Sequence, residues 1–204
     1  MILDGQEKPI SEELRFQLSI VRRNISRLEN MIGNLVEFNR LSSGTARLFE
    51  EPVIIGDMLN EALRSVALAA QDKRISLPPE VDFHSRYNLD RDMMLRVFLN
   101  LLDNALNYTD QGGEIRFELL ETDSSLAIRV RDTGAGIPQD QLEKVFDRFF
   151  RANSSNTRRH GGMGLGLSIC REILRLHGGE ISAQSNPGRG TVFTVSLPAS
   201  RRAG

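Results

Sequence analysis

Leu126-Ala127-Ile128-Arg129-Val130-Arg131-Asp132-Thr133-Gly134-Ala135-Gly136-Ile137 decides the architecture. Leu126, Ile128 and Val130 alternate with Arg129 and Arg131, the period-two pattern of a half-buried strand. Asp132 falls where that strand ends and the chain must turn. Gly134 and Gly136 then let the backbone take positive φ or come close to a flat ligand. A buried carboxylate at this point can accept the exocyclic amine of adenine, whereas guanine would present a carbonyl and set two acceptors face to face. Bonds of that kind contribute about 1.5–3 kcal/mol, enough to choose a base. The plain alternative is a tight turn with a solvated aspartate, and Asp132-Thr133-Gly134 also matches the short signature of aspartic proteases.

Working outward, a partner strand is predicted over residues 114–121, joined to the first (125–131) by the turn 122–124. Before it, Asp90 can cap a helix running to Tyr108, followed by a turn at 110–113. That helix carries Asn100-Leu-Leu-Asp-Asn104-Ala-Leu-Asn107-Tyr108, with Asn100 and Asn104 one turn apart on the same face. Amide oxygens are hard, neutral ligands, and a Mg²⁺ bearing a triphosphate needs only one or two of them. Farther upstream the pattern predicts extended stretches at 47–53, 74–77 and 83–89 and a helix over 57–70. Downstream, Pro138 opens a predicted helix through Phe149, 151–162 reads as a polar loop, a helix spans 165–177, and strands follow at 180–185 and 191–197. The order predicts an α+β domain: a two-layer sandwich in which a mixed sheet is covered on one face by about three helices.

Gly161-Gly162-Met163-Gly164-Leu165-Gly166-Leu167-Ser168 opens the last of those helices. Free amides at a helix start, bared by glycine, form a phosphate cradle. No lysine follows Gly166, which excludes a P-loop. The spacing is not that of a dinucleotide fingerprint either.

The N-terminal segment has a different character. Leu14, Leu18, Val21, Ile25, Leu28, Ile32 and Leu35 recur at alternating steps of four and three, the narrow seam of supercoiling helices. Ser11 can cap this helix and Gly44 marks its exit. Burying seven such side chains at about 1.5–3 kcal/mol each requires other helices, so the segment is expected to self-associate in a bundle.

Composition sets the outer limits. The 204 residues are 40% hydrophobic and 26% charged, with net charge -1, which gives no reason to expect nucleic acid as a partner. Cys170 stands alone, so no internal disulfide can form and a cytoplasmic, reducing location is expected. No apolar run approaches the roughly 20 residues that cross a bilayer.

Taken in order, these islands, with Phe146-Asp-Arg148-Phe149-Phe150-Arg151 between the second and third, resemble the sensor histidine kinase catalytic domain of the superfamily that also holds gyrase, Hsp90 and MutL. Arg40-Leu41-Ser-Ser-Gly44, His177-Gly-Gly179 and Gly188-Arg-Gly-Thr191 extend the resemblance over nearly the whole chain. It implies a Bergerat-type ATP-binding fold at residues 45–200, after the second helix of a dimerisation hairpin at 1–44 and before a short tail at 201–204. It implies ATP and Mg²⁺ as cofactors, with Asn104 and Asn100 on the metal. Asp132 would read adenine, Gly134, Gly136 and Ile137 would line the base pocket, and Tyr108 would pack beside the nucleotide. Arg148, Phe149, Arg151 and Thr191 would lie around it, residues 153–163 would form a lid, and Gly162, Met163, Gly164, Leu165, Gly166 and Leu167 would lie at the phosphate end. Asn107 departs from the pattern, because many members place a lysine or arginine there.

The resemblance also bears on the reaction. ATP-hydrolysing members carry a glutamate four residues before the metal-binding asparagine, as general base for water. Asn100 cannot take a proton at physiological pH, which favours phosphoryl transfer to a protein side chain. The acceptor in the family is a histidine directly followed by an acid, and none of His84, His160 and His177 precedes Asp or Glu. The start of the chain resembles the end of the first hairpin helix, so the acceptor is expected upstream of it or in trans, with a response regulator receiver domain as the next partner. A non-catalytic nucleotide-sensing module and, remotely, an aspartic protease built on Asp132 are the competing readings.

Overall fold

The computed structural model describes residues 11–151 and 164–203. Helix α1 (Glu12–Ser42) starts where Ser11 accepts the Leu14 N–H at 3.3 Å and ends before Gly44, whose φ is +70°. All seven residues of the apolar seam are exposed, between 41% and 64%. Among the described residues of α1, the buried side chains are Phe38 and Leu41, near its C-terminal end. It packs against α4 (Gly166–Leu176).

Strand β1 (Glu50–Ile54) pairs antiparallel with β2 (Arg86–Asp90), and α2 (Ile55–Asp72) leaves β1 without a break. Helix α3 (Arg91–Tyr108) follows β2 directly because the Asp90 side chain accepts the Met93 N–H at 3.1 Å and caps it. Four further strands, β3 (Ile115–Glu121), β4 (Ser125–Asp132), β5 (Glu180–Ser185) and β6 (Thr191–Pro198), form a sheet in the order β3-β4-β6-β5. The ladders are antiparallel, and the mixed character comes from one parallel bridge, Ser76 to Glu114. The predicted strand at 74–77 is reduced to that bridge, since Arg74 turns the chain with φ +55°.

The sheet buries one face. Leu126, Ile128 and Val130 of β4 and Phe193, Val195 and Leu197 of β6 point inward, while Arg129 and Arg131 point out. They meet Val97, Phe98, Leu101 and Leu102 of α3 and Ile169, Ile173 and Leu174 of α4, all buried. A two-layer α+β sandwich results, as the order of elements predicts.

One predicted element is replaced. The helix expected over 138–149 is two 3-10 turns, Gln139–Gln141 and Lys144–Phe146. Leu142, Val145, Phe146 and Phe149 recur at helical spacing, but the chain makes separate 3-10 turns and turns left-handed at Phe149, so they never share one continuous helix. Phe146 alone is buried here, with its ring edge-on to Phe193 at a centroid distance of 6.3 Å.

Candidate nucleotide site

The inward side of α3 is apolar, through Met94, Val97, Phe98, Leu101, Leu102, Ala105 and Leu106. Between these, Asn100, Asp103, Asn104 and Asn107 recur at helical spacing and form a polar stripe along one wall of a cavity of about 290 Å³. Tyr108 ends the stripe. The opposite wall is the start of α4, with Gly164, Leu165, Gly166 and Leu167.

The floor is the turn after β4. Asp132 is 4% exposed. Its Oδ1 accepts the N–H groups of Gly134 at 2.8 Å and Thr191 at 3.2 Å. Among the described residues nothing takes its Oδ2. Burial pushes the carboxyl upward from its ordinary pKa, and the two backbone N–H groups oppose that only in part. The turn is wedged in place from both sides. Ala135 N–H donates to Tyr108 O at 3.1 Å, and Gly188 N–H donates to Ala135 O at 2.8 Å. Gly136 has φ +74°, and a Cβ there would lie 2.3 Å from Asn186 O, so only glycine fits.

Gly134 does not line the cavity. It lets the turn close against α3, since a Cβ on it would lie 2.3 Å from Tyr108 O. Gly136, Ile137 and Thr191 do line the cavity, as do Asn107 and Arg151. Arg148 and Phe149 do not. The Arg148 guanidinium lies over the ring of Phe38. Phe149 has φ +62° and is 58% exposed, and this left-handed turn brings Phe150 to the cavity in its place. Phe149 N–H donates to Gly164 O at 3.0 Å, which ties this turn to the start of α4. Gly162, Met163 and the whole of the expected lid, residues 153–163, lie outside the described residues.

Sequence reasoning missed several lining residues. Asp103 shares the helical spacing of the three asparagines, a signal that was available. Phe150 and Phe193 follow from the left-handed turn and from the alternation of β6. Gln141 and Val145 depend on the 3-10 turns. Asn34, from α1, had no local signal at all.

These residues suit a nucleotide carrying a cation. Asn100 Nδ2 is buried with no nitrogen or oxygen partner among the described residues, and its Oδ1 faces Gly166, where a Cβ would lie 3.2 Å away. Asn100 thus turns its oxygen toward the start of α4 and the cavity, while its amide nitrogen lies toward the buried Cys170. Helix α4 opens without a side-chain cap, which leaves its first amides for an anion. No cluster of three or more His, Cys, Asp or Glu able to hold a metal occurs among the described residues. A cation here therefore depends on amide oxygens and on the oxygens of its own ligand. A protease dyad is not supported, because Oδ1 of Asp132 is committed to backbone and no second carboxyl influences its titration.

The fold and the cavity suit a nucleotide-binding domain of the ATPase type. Residues 89–201 match the family of histidine kinase-, DNA gyrase B- and HSP90-like ATPases, and the chain belongs to that family. Over 172 residues it is 40% identical to the signal transduction histidine-protein kinase AfsQ2 of Streptomyces coelicolor, covering 84% of this chain and 31% of that protein. The chain thus spans about a third of the length of the curated relatives it matches. Full-length ShkA, solved with AMPPNP, superposes over 95% of this chain and 40% of its own with a TM-score of 0.78 at 22% identity, a likeness of fold. Histidine kinase ThkA in complex with the response regulator TrrA superposes over 95% of this chain and 53% of its own, with a TM-score of 0.72 at 25% identity.

Proposed function

We propose that this chain is the ATP-binding catalytic part of a sensor histidine kinase, which binds Mg·ATP between α3 and α4 and directs the γ-phosphoryl to a histidine on a partner. The observation that carries the reading is Asp132: a buried carboxylate at the cavity floor, one oxygen locked by two backbone N–H groups and the other left for a ligand amine. Kinship with named histidine kinases and the likeness to a kinase solved with AMPPNP support it.

Each residue has a physical role. Asp132 accepts the adenine amine, with Gly136, Ile137 and Thr191 around the base. Asn104, with Asn100 one turn earlier, holds Mg²⁺, which when bound offsets the charge of the phosphates. The first amides of α4 and Arg151 cradle the phosphate tail. Asn100 has no basic form at neutral pH, so this site does not activate water, and the protein's contribution is positioning and charge neutralisation.

The acceptor is a histidine other than those of this chain that the structure describes. His177 is buried with both ring nitrogens engaged, and His84 is held beside Asp82 at 3.0 Å. We assign residues 1–44 to a dimerisation bundle, 45–200 to catalysis and 201–204 to a tail. The bare apolar seam of α1 supports self-association with a second copy, and the ThkA–TrrA complex supports a receiver domain as a further partner. No described helix is long and apolar enough to cross a membrane.

A transfer assay tests the proposal. The chain is mixed with a histidine-bearing helical bundle and ATP labelled on the γ-phosphate. Acid-labile, base-stable label on the bundle is expected. Nucleotide binding without any transfer would instead mark a nucleotide-sensing module.

A further inference from the structure

Asn34 belongs to α1, yet it lines the same cavity as Asn100 and Asp132. It is half-buried and held from the catalytic side. Arg96 Nη2 donates to Asn34 Oδ1 at 2.7 Å, and the same guanidinium pairs with Glu37, one turn farther along α1. Burial of Phe38 and Leu41 fixes this stretch of helix from below.

The order of residues along α3 determines which end of the cavity Asn34 occupies. Tyr108, at the end of α3, touches the Asp132 turn, where a base would lie. Asn100, two turns earlier, faces Gly166 and the free amides of α4. Arg96, the residue that holds Asn34, is one turn earlier still. A nucleotide with its base at Asp132 and its phosphates running past Asn104 and Asn100 therefore has its last phosphate nearest Asn34. The oxygen of Asn34 is already taken by Arg96, and no described residue takes its Nδ2, so the group left for a ligand is a donor.

We propose that Asn34 donates a hydrogen bond to the terminal phosphate of a bound nucleoside triphosphate, so that α1 senses whether the third phosphate is present. The inference rests on the nucleotide reading of the cavity. By reciprocity, whatever affinity the docked α1 adds for the triphosphate, the triphosphate adds for the docked position of α1. A diphosphate lacks the group that Asn34 contacts, so it leaves α1 freer to separate from α4. The helix of the bundle thereby becomes part of the specificity apparatus of the site rather than a tether.

Calorimetric titrations of the 204-residue chain with AMPPNP and with ADP, each with Mg²⁺, test this, together with Asn34→Ala and Asn34→Asp. Loss of one hydrogen bond to a charged phosphate predicts that Asn34→Ala weakens AMPPNP about tenfold and ADP less than about twofold. Asn34→Asp, which sets a carboxylate against phosphate, weakens AMPPNP further. Circular dichroism of both variants is expected to match the parent. An unchanged ratio of the two affinities, including an equal loss for both nucleotides, overturns the proposal while leaving the nucleotide site intact. Failure of the parent chain to bind either nucleotide overturns the nucleotide reading and this inference with it.

Discussion

The guanidinium carbon of Arg148 lies 4.2 Å from the centroid of the Phe38 ring, a cation–π contact that joins the α+β sandwich to the long N-terminal helix. Phe38 is buried to 3% exposure, so the aromatic ring is both a core residue and the floor for a charge. Truncation of the two partners separates these roles. Phe38→Ala loses the buried ring and leaves a cavity, at a cost of about 3–5 kcal/mol. Arg148→Ala loses the contact of an exposed guanidinium alone, about 0.5–1 kcal/mol. Urea denaturation followed by circular dichroism measures both. Equal and negligible effects would show that α1 is not fastened to the sandwich at this point.

Asp132 combines a structural cost with a binding gain. Its carboxyl is held above its ordinary pKa by burial, so the charged form is disfavoured in the fold. A raised carboxyl pKa makes the fold less stable as pH rises through and above the ordinary carboxylate range. Asp132→Asn keeps an oxygen for the N–H groups of Gly134 and Thr191 but carries no charge. The variant is expected to melt at the same temperature as the parent or higher at pH 7, and to lose about tenfold or more in ATP affinity. A large drop in melting temperature would mean that the charge stabilises the turn.

His177 gives the fold an acid sensitivity. Its Nε2 accepts the Asp90 N–H at 3.0 Å, and its Nδ1 lies 2.8 Å from Ile173 O. The ring must therefore carry its proton on Nδ1 and remain neutral. Burial holds its pKa below the ordinary 6.5. Between that depressed value and 6.5 the unfolded chain takes up a proton that the folded chain refuses. The contribution is thus complete above about pH 6.5 and is lost as pH falls below it. Melting temperatures measured from pH 8 to pH 5 check this. His177→Gln should start lower at pH 8 and fall less steeply below pH 6.5 than the parent. Parallel curves would remove His177 from the account.

The apolar seam of α1 is expected to find a second copy. Ile25 and Leu28 are more than half exposed on adjoining turns. Sedimentation equilibrium should show a dimer or larger species in the micromolar range, and Ile25→Glu with Leu28→Glu should return it to monomer. A parent chain that stays monomeric at high micromolar concentration contradicts the bundle.

Local patterns made much of this readable in advance. Asp90 as a cap, the strand ending at Asp132 and the amides of α3 follow from spacing alone, because helix and strand periods are fixed by the backbone. The differences have other causes. Arg148 and Phe149, expected around a nucleotide, do not line the cavity: the left-handed φ of Phe149 turns Phe150 toward it, and Arg148 lies on Phe38. Over 138–149 the opening signal of Pro138 points to a helix, but the chain forms two 3-10 turns and turns left-handed at Phe149, which the spacing of its residues does not encode. Asn34 depends on a contact with Arg96, 62 positions away, and no local pattern encodes such a distance.

The central claim is that one cavity selects an adenine nucleotide through a buried carboxylate while α3 and α4 hold its phosphates. Calorimetry with Mg²⁺ and AMPPNP, set beside the matching guanine analogue, measures it most directly. Saturable heat with the adenine nucleotide, little with the guanine analogue, and binding at least about tenfold weaker in Asp132→Asn is the predicted result. Absence of heat with AMPPNP on folded protein, or equal binding of both bases, would contradict it.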